Sequence, residues 1–461
     1  MGETCRLHDA RSPCIIDEMA APRPGLIVAD DLTGACDTGV QFASPGSPAS
    51  VLIMHGDTVP DGAQLPPLIA DTESRHLSAD QAADRVRTVA QELRGAPSSG
   101  LVFKKIDSTL RGNIGAEVAA LAGAFPDRAI IVAPAFPEGG RTTVDGRCLV
   151  HGVPVDETEF ARDRLSPVRS ASVAELLRPW FTGKQIAQAN PASLAEHLAE
   201  EHAGGIVIVD ASSGSDLDEV ARVVDGRLDR LILVGSAGLA NALAARRASR
   251  GGSGASLDSA EAGRAGSSPV VAVVGSLSER SRLQARRLAA HHGVREVVLD
   301  PGGGAGAAAE QTLAASAAGA VEETLAALAA GEDVVVVTAV PDGGGSAATS
   351  GAAAVVRGAS EAASTAAACA ELVRRVVERD PEVGLFLTGG DTALAVVRGL
   401  GSTALRVYRE VAPGVPAVGI VLARTADTDR EIRAVTKAGG FGDDEVMVRA
   451  RECLREGTCW Q

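Results

Sequence analysis

The chain has 461 residues, 45% hydrophobic and 22% charged, the balance of a folded globular protein, and it is longer than one core ordinarily fills, which predicts two domains. Lysine and arginine number 44 against 59 aspartates and glutamates, and the formal net charge of −15 argues against nucleic acid and anionic membranes as partners. Aromatic residues make up only 2%, too few for the stacking platforms that single-stranded nucleic acid requires.

Residues 1–23 read as a disordered tail with acidic residues rather than a basic, apolar leader. No apolar run reaches the length of a membrane span, so a cytoplasmic protein is expected. The seven cysteines are scattered without a CxxC pair or a ligand spacing to histidine and read as reduced thiols. From Gly25 onward, "GLIVAD", "SVLIMH", "PLIAD", "LVFKKID", "AIIVAPAF", "GIVIVDAS" and "RLILVGSAG" read as strands. Between them lie helical patterns such as "SADQAADRVRTVAQELRG", with Ser78 or Asp80 as N-cap and Gly95 as a stop. Strands that are apolar throughout are buried on both faces, which predicts a mostly parallel sheet in an α/β layered fold. This first domain spans 24–249. Residues 250–268 are Gly, Ser and Ala without periodicity and read as a linker. A second α/β domain, 269–461, has strands at "VVAVVGS", "REVVLD", "DVVVVTAV", "GLFLTGG", "AVGIVLA" and "RAVTKAGG". The Ala/Gly-rich stretches Gly302–Ala320 and Asp342–Ala368 read as helices with surface insertions. "PGGGAGAAAE" puts Ala307 where a dinucleotide fingerprint needs its third glycine, so a nicotinamide dehydrogenase is not indicated.

Ligands of open parallel sheets gather at the carboxyl ends of strands, and four groups of loops there carry chemistry. In "IVADDLTGACDTGVQFA" a strand ends in Asp30 and Asp31, Thr33 and Gly34 form a turn, and a helix starts near Cys36 or Asp37. Strand alternation turns one of the two aspartates to the ligand, where it could accept a proton from a sugar hydroxyl or bind Mg²⁺ through water. The alternative is that Asp30, Asp31 and Asp37 cap the turn and the helix. In "VFKKIDSTLRGNIGAE" stand two of the four lysines of the chain, the others being Lys184 and Lys437. Alternation puts Lys105 and Asp107 on one face and Lys104 on the other, and the start of the helix Asn113–Ala124, among Lys105, Ser108 and Arg111, favours an anion. In "VAPAFPEGGRTTVDGRCLV" a rigid loop presents Arg141, Thr142 and Thr143, a set suited to a carboxylate, although a plain hairpin accounts for the loop equally well. The fourth group is "VVGSLSERSRLQ" with Ser276 and Ser278, "FLTGGDTALAVV" with Gly389, Gly390, Asp391 and Thr392, and "VTKAGGFGDDEV" with Lys437, Gly439 and Gly440. None fits GxxxxGK[ST], yet three small-residue loops at strand ends point to nucleotide phosphate.

Together, "ADDLTGACDTGVQFA", "KKIDSTLRGNIGAE", "PAFPEGGRTTVDG", "LTGGDTA" and "TKAGGFG" resemble the four-carbon acid sugar kinase family from about Gly25 to Ala450. The resemblance implies an acid-sugar domain followed by an ATP domain, an active site in the cleft between them, and phosphorylation of a tetronate such as threonate or erythronate on its terminal hydroxyl. It implies acid-sugar contacts at Asp31, Thr33, Lys105, Asp107, Ser108, Arg111 and Arg141, and nucleotide contacts at Ser276, Gly389, Gly390, Asp391, Thr392, Gly439 and Gly440. Cys36 departs from the family's usual Asn. On this reading Lys105 and Arg111 neutralise the acid, Asp31 takes the hydroxyl proton with Asp107 next in line, and Mg²⁺ arrives on ATP with Asp391 reaching it through water. Closure of the two domains would exclude water, and a homodimer is compatible with the sequence. A 3-oxo-tetronate 4-kinase, a kinase of another small hydroxy acid and a non-catalytic nucleotide or sugar-acid binder are the competing readings.

Overall fold

The computed structural model describes residues 25–43, 47–60, 68–93, 100–163, 165–200, 205–250, 268–276, 278–301, 307–339, 352–422 and 430–460. The expected tail, the expected linker apart from Arg250 and Ser268, and residues 342–351 of the second Ala/Gly-rich stretch lie outside them. The front half runs β1 (Leu26–Ala29), α1 (Leu32–Phe42), β2 (Ala49–Ile53), β3 (Leu68–Asp71), α2 (Ala79–Glu92), β4 (Val102–Lys105), α3 (Ile114–Ala124), β5 (Ala129–Ala133), β6 (Arg141–Val144), β7 (Arg147–Val150), β8 (Val153–Pro154), α4 (Val173–Leu177), β9 (Ile186–Ala189), α5 (Leu194–Glu200), β10 (Ile206–Val209), α6 (Gly214–Val224), β11 (Leu231–Gly235) and α7 (Ala237–Arg250). The back half runs β12 (Val270–Val274), α8 (Glu279–Ala289), β13 (Val294–Leu299), α9 (Ala307–Ala329), β14 (Asp333–Thr338), α10 (Ala352–Arg379), β15 (Gly384–Thr388), α11 (Gly390–Gly399), β16 (Ala404–Ala412), β17 (Val415–Val421), β18 (Glu431–Lys437) and α12 (Val446–Glu456).

Fifteen of these strands form one sheet in the order β13-β14-β12-β15-β18-β17-β16-β2-β3-β1-β4-β11-β5-β10-β9, while β6, β7 and β8 make a small separate sheet. The mostly parallel sheets expected of each half are therefore fused edge to edge. The seam is an antiparallel pairing of β16 with β2, Ala404 opposite Leu52 through Val407 opposite Ala49. Antiparallel pairs are confined to the stretch β18-β17-β16-β2, and every other neighbour is parallel. The parallel strands of the front half consequently run opposite to those of the back half.

On a flat sheet this opposition would send the carboxyl ends of the two halves to opposite edges. Sheets are not flat. The six steps from β4 to β18, at about 20–25° of twist each, accumulate to roughly 120–150° and swing the opposed ends toward one another. Register shifts in the β16–β17 pair, at Val407/Arg409 and Glu410/Ala412, add local twist at the seam.

One apolar cluster covers one face of the sheet through both halves, from Leu217 of α6 and Leu239 of α7, past Leu32 of α1, to Val396 of α11 and Val373 of α10. On the opposite face α2, α3 and α4 cover the front half through Val86, Val118 and Leu177. There α8 and α12 cover the back half through Leu288 and Leu454. The seam is further tied by Arg398 donating to the Met54 carbonyl (3.2 Å) and by Gln41 donating to Glu410 (3.3 Å).

Two local expectations are corrected. The first helix begins at Leu32 rather than near Cys36, because Asp31 is its N-cap and accepts from the Gly34 N–H (3.0 Å), so Thr33 and Gly34 are its first turn. Cys453 and Cys459, read as thiols, form a disulfide with a Cα separation of 5.8 Å, whereas Cys36, Cys148 and Cys369 are free and buried. Ser78 caps α2 with a full capping box, as its sequence indicates.

Lys104 belongs to the core. It is 0% exposed, pairs with Glu117 of α3 at 2.9 Å, and donates to the Lys105 carbonyl at 2.8 Å. Glu117 also accepts from Ser74 at 2.7 Å. Removing one member of such a pair strands a buried charge. Glu117→Ala is expected to lower the unfolding free energy by about 3–5 kcal/mol in a urea titration; a loss below about 1 kcal/mol would mean that the pair is dispensable.

Candidate active site

The converging strand ends enclose a cavity of about 360 Å³ lined from both halves. The front half contributes Asp30, Asp31, Thr33 and Asp37 from the start of α1, Glu73, Arg75 and His76 after β3, Lys105, Asp107, Ser108 and Arg111 after β4, and Arg141. The back half contributes Gly390 and Asp391 from the start of α11, Gly414 from the β16–β17 turn, and Ala438, Gly439, Gly440 and Phe441 after β18. Across the boundary, Thr33 Oγ1 stands 3.2 Å from where a Cβ on Gly390 would be.

Arg75 organises the front wall. Its guanidinium donates to both oxygens of Asp30 (2.7 and 3.1 Å) and to both oxygens of Asp31 (2.7 Å each). The expectation that only one aspartate turns to the site fails because the strand ends at Ala29, so period-2 alternation does not extend across the pair. Burial pushes the Asp30 carboxyl up, but Arg75, with Lys104 and Lys105 nearby, overcomes that and holds it below the ordinary carboxylate range.

Asp107 and Arg111 form a second fork, with Nε and Nη2 each 3.0 Å from the carboxylate. Arg111 also reaches Asp163 at 3.4 Å and lies over the Phe160 ring. Burial would raise Asp107, and Arg111 and Arg75 instead hold it well below its usual value. Glu73 accepts from the Leu32 N–H (3.2 Å) and sits at φ +48°, a left-handed conformation costly for a residue with a Cβ. Burial first, and then its neighbour Glu73, push the Asp71 carboxyl well up.

Lys105 and Asp37 are left with unspent capacity in the cavity. Lys105, 5% exposed, donates only to the Ile106 carbonyl (3.2 Å), and no ion pair joins it to any carboxylate among the described residues. An ammonium has three donors. Asp37, one helical turn beyond Thr33 on the same face of α1, has no hydrogen-bond or ion-pair partner among the described residues. Burial pushes its carboxyl up to about 6 against the opposing pull of Lys105, with Glu410 and Asp31 adding to the rise.

The expected nucleotide residues divide. Gly390, Asp391, Gly439 and Gly440 line the cavity. Gly389 sits just behind as the N-cap of α11 at φ +103°, and no side chain makes a capping hydrogen bond there. Ser276, Ser278, Thr392 and Lys437 support the loops instead. Ser278 caps α8 and donates to the Gly439 carbonyl at 2.8 Å, and Ser276 accepts from the Ser278 N–H at 3.3 Å. The buried Lys437 ammonium donates to Ser281 and to the carbonyls of Ala438 and Gly439 at 2.9–3.1 Å, and burial pushes it down to about 8. Thr142 is on β6 paired with Leu149, outside the cavity lining. Arg75, Glu73, His76 and Asp37 were absent from the sequence-based set. The loop "DTESRH" was identifiable by the same carboxyl-end rule, since it follows β3.

Residues 25–243 match the model of a sugar-binding N-terminal domain and residues 271–447 that of a nucleotide-binding C-terminal domain. A D-threonate kinase from Salmonella typhimurium is 34% identical over 94% of this chain and 99% of its own length. The chain belongs to the four-carbon acid sugar kinase family. It is a phosphotransferase that acts on an alcohol group, and its substrate class is four-carbon sugar acids. The kinase is also 31% identical to a 3-oxo-tetronate kinase from Methylobacterium radiotolerans over 93% of this chain and 98% of that one. Its fold matches that of the Haemophilus influenzae protein HI1011, with a TM-score of 0.64 at 21% identity, covering 93% of this chain and 100% of that chain.

The Arg75 clamp gives this kinase a pH signature. Asp30 is held below its unfolded value, so its contribution is fully present above about pH 4 and is lost as pH falls through its lower folded value. Arg75→Ala should cost about 3–5 kcal/mol near neutral pH, with the gap to wild type narrowing below about pH 4 in denaturation followed across pH. Arg75→Lys should not restore it, because one ammonium cannot span four carboxylate oxygens. A gap that is constant with pH would contradict the assignment.

Proposed function

We propose that this kinase uses ATP to phosphorylate the terminal hydroxyl of a sugar acid of the D-threonate or D-erythronate class, in the cytoplasm. The observation that carries the reading is the single cavity that unspent cationic donors enter from the front half and uncovered glycine turns enter from the back half. Lys105, Arg141 and Ser108 are the groups for the acid end. Arg141 donates to the Gly139 carbonyl through one Nη, while its buried Nε has no partner. Arg111 is already engaged by Asp107, so its part is to hold that wall and not to bear the acid alone.

The phosphates are assigned to the start of α11 and the Gly439–Gly440 turn, where small residues let the backbone come close and the helix start favours an anion. Ser276, Ser278 and Lys437 act by fixing these turns. The described residues hold no cluster of three or more His, Cys, Asp or Glu fit to cage a metal. Mg²⁺ delivered on a triphosphate needs few protein ligands, and Asp391, exposed at the cavity, would reach it through water. Bound there, Mg²⁺ supplies relief of charge on the phosphates. What the chain itself supplies is in-line placement and exclusion of water.

The test is ADP formation with Mg-ATP across threonate, erythronate and their 3-oxo forms, with the phosphorylated position read by NMR. Acid-dependent turnover on a tetronate with the product phosphorylated at the terminal carbon is expected. Fast ATP hydrolysis indifferent to the acid, or no turnover across the panel, would contradict the proposal, and a preference for a 3-oxo acid would move the assignment to a 3-oxo-tetronate 4-kinase. Lys105→Ala should raise KM for the acid by about tenfold or more with little change for ATP; the reverse pattern would reassign Lys105 to the phosphates.

A further inference from the structure

Five carboxylates at the front of the cavity are candidates to receive the proton of the attacking hydroxyl, and geometry separates them. Glu73 accepts from the Leu32 N–H and shares a hydrogen bond with Asp71. Both oxygens of Asp30 and both of Asp31 face the Arg75 guanidinium, and Asp31 Oδ1 also accepts from the Gly34 N–H. Asp107 is forked by Arg111 and accepts from Thr109. Each of these already spends its lone pairs on fixed donors. Asp37 spends none among the described residues, yet it lines the cavity. Its position is also distinctive. It shares a face of α1 with Thr33, which touches the Gly390 turn, and α1 packs over the seam where Gly39 approaches Ile69 and Val407. Asp37 thus stands at the border of the sugar-acid and nucleotide walls.

Resting on the sugar-acid kinase reading, we propose that Asp37, and not Asp31, is the general base of phosphoryl transfer. The terminal hydroxyl oxygen forms its bond to the γ-phosphorus of the nucleoside triphosphate. The bond from that phosphorus to the bridging oxygen breaks, and the electron pair leaves with the diphosphate. The hydroxyl proton passes to the Asp37 carboxylate, which releases it to solvent after product departs. Asp31 is then a positioning residue: it caps α1 and, with Arg75, fixes the helix that carries the base. Lys105 and Asp37 both line the cavity, and among the described residues neither has an ion-pair partner, which is the arrangement expected if a small hydroxy acid spans the gap between them.

The charges that act on Asp37 are Lys105 from β4, Glu410 from β16 and Asp31 at the start of its own helix, and Asp391 of α11 faces the same cavity. Burial raises the carboxyl to about 6, within the range in which a base is still ionised at neutral pH and accepts a proton readily. A base must be ionised to work, so turnover should fall as pH drops through about 6.

The experiment is steady-state kinetics of wild type, Asp37→Asn and Asp31→Asn with Mg-ATP and the best sugar acid of the panel, from pH 5 to 9. Asp37→Asn should lose about 10²–10⁴ in kcat with KM for both substrates within about threefold and an unchanged Tm, and its residual rate should lack the acidic limb. Asp31→Asn should lower Tm and retain that limb. If Asp37→Asn keeps kcat within about tenfold, or its residual rate keeps the limb, the base is another group. A wild-type kcat that is flat from pH 5 to 8 also overturns the proposal, independently of how any variant folds. Absence of wild-type turnover on every acid would instead refute the functional reading, so the two failures are distinguishable.

Discussion

Four residues of antiparallel pairing, Ala49–Leu52 against Ala404–Val407, decide the geometry of this molecule. They join the sheets of the two halves edge to edge into one, so the chain has no separate sheet edges at that border. Antiparallel joining alone would be useless for catalysis, since it sends carboxyl ends apart. Strand twist corrects it, and the bulged β16–β17 pair places the correction at the seam. α1 is laid across that seam. With Asp31 as its cap and Thr33 and Asp37 along it, it sets cavity residues on the element most constrained by the join.

Charge within the front wall is spent in a graded way. Lys104 is consumed by Glu117 in the core, Arg75 by two aspartates, and Arg111 by Asp107. What is left over in the cavity is cationic at Lys105 and part of Arg141 and anionic at Asp37. Fixed ion pairs around unpaired functional groups keep the latter oriented without neutralising them. The two adjacent lysines divide as strand alternation predicts: Lys104 is buried against Glu117, and Lys105 lines the cavity.

Much of this was legible in the sequence. The apolar strand runs before "ADDLTG", "KKIDS", "LTGGD" and "TKAGG" locate most of the residues that meet at the cavity, because the carboxyl-end rule depends only on strand direction. β16 was not read. "ALRVYREVA" alternates and carries Arg406, Arg409 and Glu410, so it lacks the uniform apolar signal of its neighbours, although the Pro413–Gly414 turn after it marks a hairpin. Missing β16 meant missing the join between the sheets of the two domains. Arg75 and Asp37 escaped for a related reason: their importance comes from what they face across strands distant in sequence, and from what Asp37 lacks.

The central claim is that one twisted sheet brings the acid-binding and phosphate-binding strand ends into a shared space. A crystal structure with a tetronate and a non-hydrolysable ATP analogue tests it most directly. The account predicts the terminal hydroxyl oxygen about 3–3.5 Å from the γ-phosphorus, with the acid end at Lys105 and Arg141 and the phosphates at Gly389–Asp391 and Gly439–Gly440. A nucleotide bound elsewhere, or ligands in place but held apart with the β2–β16 pairing intact, would contradict it.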